Sequence, residues 1–443
     1  MPGQRRAERP GTGPGAQGRL DAGGSEGRRQ TQGRGGQRGA RVVAGGGTVR
    51  ERLARVTLMR LAEPGDAVMG RLVASCGPEA AVEQVRRRVL DPEFVRWFAS
   101  TRRGRPAEGT GEADARLDRI LAAWAARLEA ADPAGDLAAG ERAGARLVVP
   151  GEPEWPTQLD DLLDSRPHAL WLHGQANLRF ACIRSVAIVG SRAATPYGAH
   201  VAAEFGAGLS ERGHGVVSGG AYGVDGAAHR GALAGGTPTV AVLACGTDVS
   251  YPSAHHDLFE VVRARGLLVS ESPMGVRPTR PRFLVRNRII AALARGTVVI
   301  EAAVRSGALN TAGHAVALNR ILAAVPGPVT SDTSTGCHRL IRQGAATCVT
   351  TPAEMAELVG AIGSDLAPEP RGPVLPRDRL APEVRRVLEA VPARAGAGPA
   401  VIAVEAGVDL ETVLSCLGGL AAAGYVEKTS RGWRLCPEKP SSG

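Results

Sequence analysis

Three glycine-containing segments carry the residue types that bind anions, and each follows a short apolar run. The residues concerned are Gly190, Ser191 and Arg192 in VAIVGSRAATPYG, Ser218, Gly219 and Gly220 in VVSGGAYGVDGAAH, and Arg305, Ser306 and Gly307 in VVIEAAVRSGALNTAGHA. Backbone N–H groups at helix starts, small side chains and fixed positive charge suit a phosphate group. One such loop is weak evidence, because Gly-Ser turns also cap ordinary helices, but three together favour a phosphate site.

A basic segment, RPTRPRFLVRNRIIAAL, lies between the second and third of these loops. It contains Arg280, Arg282, Phe283, Arg286, Asn287 and Arg288. Arginines around one aromatic residue are the composition expected for single-stranded DNA, with phosphates on arginine and a base stacked on the ring. The alternative is that Phe283 is a core residue and the arginines form a solvated helix face. We favour the binding interpretation, with Phe283, Arg286, Asn287 and Arg288 in the site.

The titratable residues near these loops do not form a catalytic set. They are Asp225, His229, Glu271 and Glu301. Asp225 is interpreted as a helix cap and Glu301 as the residue that orients the third loop. No nucleophile–base pair and no metal-binding constellation is present, so we predict no catalytic residue and no metal. Neither GxGxxG with a following acidic residue nor GxxxxGK[ST] occurs, so we expect no cofactor and no ATP hydrolysis.

The elements that must position the three loops alternate between β-branched runs and helical segments. The strand candidates are SVAIVG, GVVSGG, TVAVLAC, LLVSES, GTVVIEA, RILAAVP and ATCVT. Apolar runs of this length fit strands that are buried on both faces of a parallel sheet, with the intervening segments as crossover helices. Residues 147–360 are therefore predicted to form a doubly wound, Rossmann-like α/β domain. Trp155 and Trp171, in the connecting piece before it, are interpreted as structural anchors.

The flanking regions have different compositions. Residues 1–47 are rich in Gly, Arg and Gln and are interpreted as a disordered extension. Residues 48–146 are predicted to form a small helical domain, because helical periodicity occurs in four segments: RERLARVTLMRLAEPGD, AVMGRLVASCG, PEFVRWFAS and ARLDRILAAWAARLEAAD. A Pro-rich linker is placed at 361–377 and a winged-helix-like domain at 378–436, with a tail at 437–443. In that last domain Asp409 caps a helix and Gly424 ends it.

Composition limits the class of protein further. The chain carries 54 Lys+Arg against 44 Asp+Glu, a formal net charge of +10, which makes nucleic acid a plausible partner. The seven cysteines form no CxxC pair, as expected for reduced thiols rather than a disulfide framework. No apolar run approaches the ~18 residues that span a bilayer, and the N-terminus has no signal-peptide pattern. We therefore expect a cytoplasmic protein with no membrane contact.

Taken together, the motifs resemble those of the DprA/Smf family of DNA-processing proteins. The matching strings are GSRAATPYG, SGGAYGVDGAAH, AVLACGTDVSYP, LVSESPMGVRPTRPRFLVRNRIIAAL, IEAAVRSGALNTAGHAVALNR and PGPVTSDTSTGCHRLIRQGA, in this order over about residues 150 to 350. The resemblance implies single-stranded DNA binding without sequence preference, dimerisation through the Rossmann domain, and assistance in loading RecA during DNA uptake and natural transformation. It implies no catalytic activity. It also implies that the first two loops cradle phosphates and that Arg286, Asn287 and Arg288 line the same pocket, with Phe283 as the base-stacking residue.

The sequence departs from the family pattern in one loop. Many members carry an acidic-Asn pair after the YP, where this chain has Ala254, His255 and His256. This difference is expected to alter the loop beneath the pocket. The Gly/Arg-rich extension is likewise not part of the pattern.

Two other functions compete with DNA binding in the Rossmann domain. A nucleoside monophosphate phosphoribohydrolase of the lysine-decarboxylase-like type also uses Gly-rich loops on such a core. It needs a PGGxGTxxE-type loop, whereas this chain has EAAVRSGALNTA. A duplex-binding transcription factor would use the winged helix, but residues 411–423 contain no Arg or Lys to read a major groove.

Overall fold

The computed structural model describes residues 47–100, 110–361, 363–368 and 376–436. The predicted extension at 1–47, except for Gly47, and the tail at 437–443 lie outside these ranges. Residues 362 and 369–375 of the predicted linker also lie outside them. In the described residues no helix is long and apolar enough to cross a membrane.

The described part of the N-terminal region contains six helices. They are α1 (Val49–Leu61), α2 (Ala67–Cys76), α3 (Pro78–Arg87), α4 (Pro92–Ser100), α5 (Thr110–Glu129) and α6 (Pro133–Arg142). The side chains of Thr48, Asp66 and Asp132 accept hydrogen bonds from the first turns of α1, α2 and α6. The periodicity predicted α1, α2, α4 and α5. Helices α3 and α6, which both begin with a proline at the first position, were not predicted.

A nine-stranded sheet forms the centre of the molecule. Its strands are β1 (Arg146–Val148), β2 (Leu170–His173), β3 (Ser185–Val189), β4 (Gly215–Ser218), β5 (Thr239–Leu243), β6 (Leu267–Ser270), β7 (Gly296–Val299), β8 (Ile321–Ala324) and β9 (Thr347–Cys348). The helices between them are α7 (Leu178–Ile183), α8 (Pro196–Glu211), α9 (Val224–Gly235), α10 (His256–Arg265), α11 (Arg280–Leu293), α12 (Ala308–Ala317) and α13 (Thr335–Arg342), and α14 (Pro352–Val359) follows β9.

The strand order explains where a ligand would bind. The order is β1-β2-β6-β5-β4-β3-β7-β8-β9, and the strands from β3 to β9 are all parallel. The chain winds outward from β3 through β4, β5 and β6, then returns to place β7 on the other side of β3. The carboxyl ends of β3 and β7 therefore flank a topological switch point, where open α/β sheets bind ligands. The prediction of a mostly parallel, Rossmann-like sheet is confirmed.

Side-chain alternation along the strands divides the core between two faces. Val186 and Ile188 of β3 pack with α8, α9 and α14, whereas Ala187 and Val189 pack with α11, α12 and α13. Because every residue of β3 is buried, the strand reads as a continuous apolar run, which is why the sequence predicted it well.

Strands β1 and β2 extend this sheet in the antiparallel sense and were not predicted as strands. They lie in the connecting piece, where Trp155 and Trp171 are both almost fully buried. Trp171 shares a core cluster with Val56 and Met59 of α1 and with Leu147. The helical region therefore packs directly on the added strands, so its predicted boundary at residue 146 cuts through a common core.

The last described region contains three helices and a two-stranded hairpin. These are α15 (Pro382–Glu389), α16 (Pro399–Ala406), α17 (Leu410–Ala422), β10 (Val426–Thr429) and β11 (Gly432–Leu435). Asp409 caps α17 as expected, by accepting a hydrogen bond from the Thr412 N–H. The winged-helix interpretation of this region stays a prediction.

Acid is expected to destabilise the fold partly through His229 in α9. This side chain is completely buried, and burial lowers its pKa to about 3 from the ordinary value of 6.5. As the pH falls, the imidazole of His229 therefore takes up a proton in the unfolded chain before it does so in the folded one. The contribution of the neutral, buried His229 to the free energy of unfolding is present in full above pH ~6.5 and is lost as the pH falls towards ~3. The loss approaches about 1.4 kcal/mol per pH unit within this window.

Urea unfolding of the wild type and His229→Leu at several pH values would test this. The variant also loses the 2.8 Å hydrogen bond between Nδ1 and the Thr239 hydroxyl, so we expect a lower stability but a shallower pH dependence. An unchanged slope in the variant would show that His229 does not contribute to the acid sensitivity.

Candidate functional site

A cavity of about 920 Å³ opens at the switch point between β3 and β7. It is bounded by the loop after β3, the loop after β7, helix α11 and the loop that contains Tyr251. Nine of the predicted site residues line it: Gly190, Ser191, Arg192, Phe283, Arg286, Asn287, Arg305, Ser306 and Gly307. The structure thus brings together residues that are up to 117 positions apart in the sequence, Gly190 and Gly307 being the most distant pair.

The first loop is held by Glu301, which follows β7. The Glu301 carboxylate accepts hydrogen bonds from the backbone N–H of Thr195 at 3.0 Å and from its hydroxyl at 2.6 Å. The Ser191 N–H donates to the Glu301 carbonyl oxygen at 2.8 Å. The prediction that Glu301 orients the third loop is therefore wrong, since its side chain fixes the start of α8.

Replacing Glu301 with glutamine is expected to loosen the first loop. The amide keeps the size of the side chain, but its N–H group points at a group that now donates a hydrogen bond to the carboxylate. One buried donor left without an acceptor costs about 1–3 kcal/mol. We expect the urea midpoint to fall accordingly and DNA affinity to fall less, because Arg192 keeps its charge. A midpoint equal to that of the wild type would contradict this role.

The three residues predicted in the second loop lie beneath the cavity, although Ala221 and Asp225 of the same loop line it. Ser218 is buried and donates to the carbonyl oxygen of Ile188 at 2.7 Å, while Gly219 and Gly220 do not line the cavity either. Gly220 has a φ of +66°, which favours glycine. The geometry therefore gives these three residues a supporting position rather than a direct contact with a ligand.

Asp225 holds this second loop in place. Its Oδ2 accepts from the N–H groups of Gly219 and Ala221 at 3.2 and 3.3 Å. It is not the cap of α9 as predicted, because Gly223 occupies that position and Asp225 lies in the first turn. Burial raises the pKa of Asp225, and the nearby Arg286 acts in the opposite direction.

Arg286 joins the second loop to the cavity. Its Nη1 donates to the carbonyl oxygen of Gly219 at 2.8 Å and also to that of Val242. A Cβ on Gly219 would lie 2.4 Å from this guanidinium, so a side chain there would displace Arg286 from its present position. Burial lowers the pKa of Arg286 to about 10, which still leaves the side chain charged at neutral pH.

Arg288 does not line the cavity, and the geometry does not support its predicted contact with DNA. Its guanidinium pairs with both carboxylate oxygens of Glu271, at 2.8 and 2.7 Å, and both residues are buried. It also donates to the Ser165 carbonyl oxygen at 2.9 Å. Arg288 therefore joins α11 to the segment before β2, on a different side of the helix from Arg286.

The predicted stacking residue, Phe283, lies in the wall of the cavity between two cations. The guanidinium of Arg192 lies 4.5 Å from its ring centroid and that of Arg286 lies 6.0 Å away. The ring of Tyr251 lies 5.5 Å from the same centroid at a tilt of 47°. Tyr251 was not predicted. The signal was available in the YP that follows TVAVLACGTDVS, because this loop leaves the carboxyl end of β5 on the same edge.

Of the altered residues after this YP, His255 lies under the pocket, whereas Ala254 and His256 are exposed. His255 is buried, and its Nδ1 donates to the Gly220 carbonyl oxygen at 3.0 Å. Its ring also contacts the edge of Tyr222 at a centroid distance of 5.2 Å. The histidine thus supports the second loop from below.

Charge in the lining is strongly positive. Arg192, Arg280 and Arg305 are exposed at the rim, Arg286 lies inside, and Asp225 is the one acidic residue among those that line the cavity. The arrangement suits a phosphate chain at the rim, with a planar group against the aromatic pair.

Comparison with known proteins agrees with the motifs. The DNA-processing protein DprA of Mycobacterium tuberculosis is 44% identical over 388 residues, which are 85% of this chain and 92% of that protein. The chain belongs to the DprA/Smf family. The family model for the DNA recombination-mediator protein A matches residues 146–360, the part that forms the nine-stranded sheet.

The family also accounts for the fold. The DprA of Streptococcus pneumoniae strain R6 is 41% identical over 191 residues, or 43% of this chain and 66% of that protein. The crystal structure of a DprA from Streptococcus pneumoniae superposes with a TM-score of 0.54 at 29% identity, covering 69% of this chain and 96% of that one. The mostly parallel sheet is thus the one that the family uses, and membership places this chain in DNA processing.

Proposed function

We propose that the chain binds single-stranded DNA in the cavity at the switch point. The observation that carries this proposal is the stack of Arg192, Phe283 and Arg286, with the exposed Arg280 and Arg305 beside it. Cations spaced along a groove hold successive phosphates, and an aromatic ring between them receives a base.

A single strand suits this site better than a duplex. The ring of Phe283 is only partly exposed within a crevice, so a base must leave its neighbours to stack on it. Bases in a duplex are paired and stacked, and extruding one costs a few kcal/mol. A single strand has no pairing to break.

Family membership and this site together support a proposal for the biological role. We propose that the bound strand is presented to RecA during recombination or DNA uptake, that the protein acts as a homodimer in the cytoplasm, and that it has no catalytic activity. The lining offers no nucleophile with an adjacent base, which supports a binding function. Loading of RecA onto a strand coated with single-strand-binding protein would test the role separately from binding.

Fluorescence anisotropy with labelled oligo-dT and a duplex of equal length, at several salt concentrations, tests the binding proposal. We expect the single strand to bind more tightly. If the four cavity arginines each neutralise one phosphate, log K should fall with log salt at a slope of about −3, from about −0.7 per contact. Equal affinity for the duplex, or binding that does not depend on salt, would overturn the proposal.

A further inference from the structure

We propose that the inner end of the cavity receives one base of the strand and holds its hydrogen-bonding edge between Asn287 and Asn310. This inference rests on the proposed function. It concerns a different part of the cavity from the arginines at the rim.

The inner end differs in character from the rim. Ile290, Thr311 and Ala308 line it and are 1%, 2% and 6% exposed, whereas the rim arginines are exposed. The cavity therefore runs from a charged opening to a mainly apolar floor between α11 and α12. A phosphate at that floor would lose its hydration against apolar walls, whereas a flat base would gain from the same contact.

The hydrogen bonds of the two amides show what the floor can recognise. Asn287 Nδ2 donates to the Gly307 carbonyl oxygen at 3.4 Å and to Asn310 Oδ1 at 3.1 Å. A carbonyl oxygen can only accept, so these bonds fix the orientation of both amides. Among the described residues, Asn287 Oδ1 and Asn310 Nδ2 have no protein partner, and both side chains line the cavity.

One free acceptor and one free donor match a base and not a phosphate. A phosphate oxygen only accepts, so it would leave Asn287 Oδ1 without a donor. Each of the four DNA bases carries a donor next to an acceptor on its pairing edge, and amide side chains bind such edges with two hydrogen bonds. The pair therefore recognises that a base is present without selecting which one. The amide pair thus forms hydrogen bonds with a base and still gives binding without sequence preference.

The test compares oligo-dT with an oligonucleotide of N3-methylthymidine of the same length. The two have the same phosphates and a ring that can stack, but the methylated base lacks the N3–H donor. We expect the wild type to bind oligo-dT about five- to tenfold more tightly, as for one well-placed base contact. Oligo-dC, which keeps a donor beside an acceptor, should bind like oligo-dT.

Replacing both Asn287 and Asn310 with leucine removes the acceptor for the N3–H group, so this double variant should bind the two thymine oligonucleotides equally. Asn310→Leu alone keeps Asn287 Oδ1 as the acceptor, so it should weaken binding of both oligonucleotides and still prefer oligo-dT, and it provides the test if the double variant does not fold. If the wild type binds both oligonucleotides equally and with normal salt dependence, the amide pair does not read a base and this inference fails while the binding proposal stands. If the wild type binds neither, the proposed function itself fails.

Discussion

Arg192→Ala is expected to weaken binding of oligo-dT by about ten- to hundredfold at moderate salt. The exposed guanidinium lies against Phe283, so its loss removes a phosphate contact and one of the cations next to the stacking ring. A hydrogen bond to a charged group contributes about 1.5–3 kcal/mol, and 1.4 kcal/mol corresponds to tenfold in affinity. Arg192→Glu should have a larger effect, because it places a negative charge where the phosphate binds.

Arg265→Ala provides the matched control. Arg265 is also exposed, but it ends α10 just before β6, at the amino edge of the sheet and opposite the cavity. Its loss removes the same net charge, so we expect only the small change that follows from overall charge. Equal weakening by the two alanine variants would mean that long-range charge, and not the first loop, binds the strand.

Arg288→Met is expected to lower the free energy of unfolding by about 3–5 kcal/mol, because it leaves the Glu271 carboxylate buried without its partner. Urea unfolding measures this directly. The double variant Glu271→Leu with Arg288→Met should recover much of the loss, since no buried charge is left unpaired.

The same variants separate the structural role of Arg288 from the predicted DNA contact. At temperatures where Arg288→Met is folded, its affinity for oligo-dT should stay within about twofold of that of the wild type. A lost DNA contact of about 1.4 kcal/mol would instead lower the affinity about tenfold. Normal stability combined with weak, less salt-dependent binding would show that the arginine contacts DNA.

Arg286 and Arg288 have different roles that the sequence alone did not predict. Both are arginines in the same basic segment, and the composition predicted that both would bind DNA. Two positions along a helix correspond to a rotation of about 200°, so the side chains leave α11 on different sides. Which side faces the cavity depends on Glu271, which stands 17 positions earlier and reaches Arg288 only in the folded chain.

The strands and loops were predictable because their signals are local. Strand β3 is an apolar run that is buried on both faces, and Gly190 to Arg192 follow it directly. The contacts that support the loops are long-range and were not predicted. The carboxylate of Glu301, for example, binds Thr195, a residue that stands 106 positions earlier in the sequence. Strands β1 and β2 were missed for a similar reason, because they join the sheet through pairing of β2 with β6, which lies far along the chain.

Photo-cross-linking tests the location of the strand most directly. An oligonucleotide with 5-iodouracil at each position in turn is bound to the wild type and irradiated, and the cross-linked peptide is identified by mass spectrometry. Iodouracil reacts preferentially with aromatic side chains that stack on it, so the account predicts cross-links to Phe283 or Tyr251 that are lost when excess unlabelled oligo-dT competes. Cross-links confined to the region of α15–α17, with none in α11 or the Tyr251 loop, would contradict it.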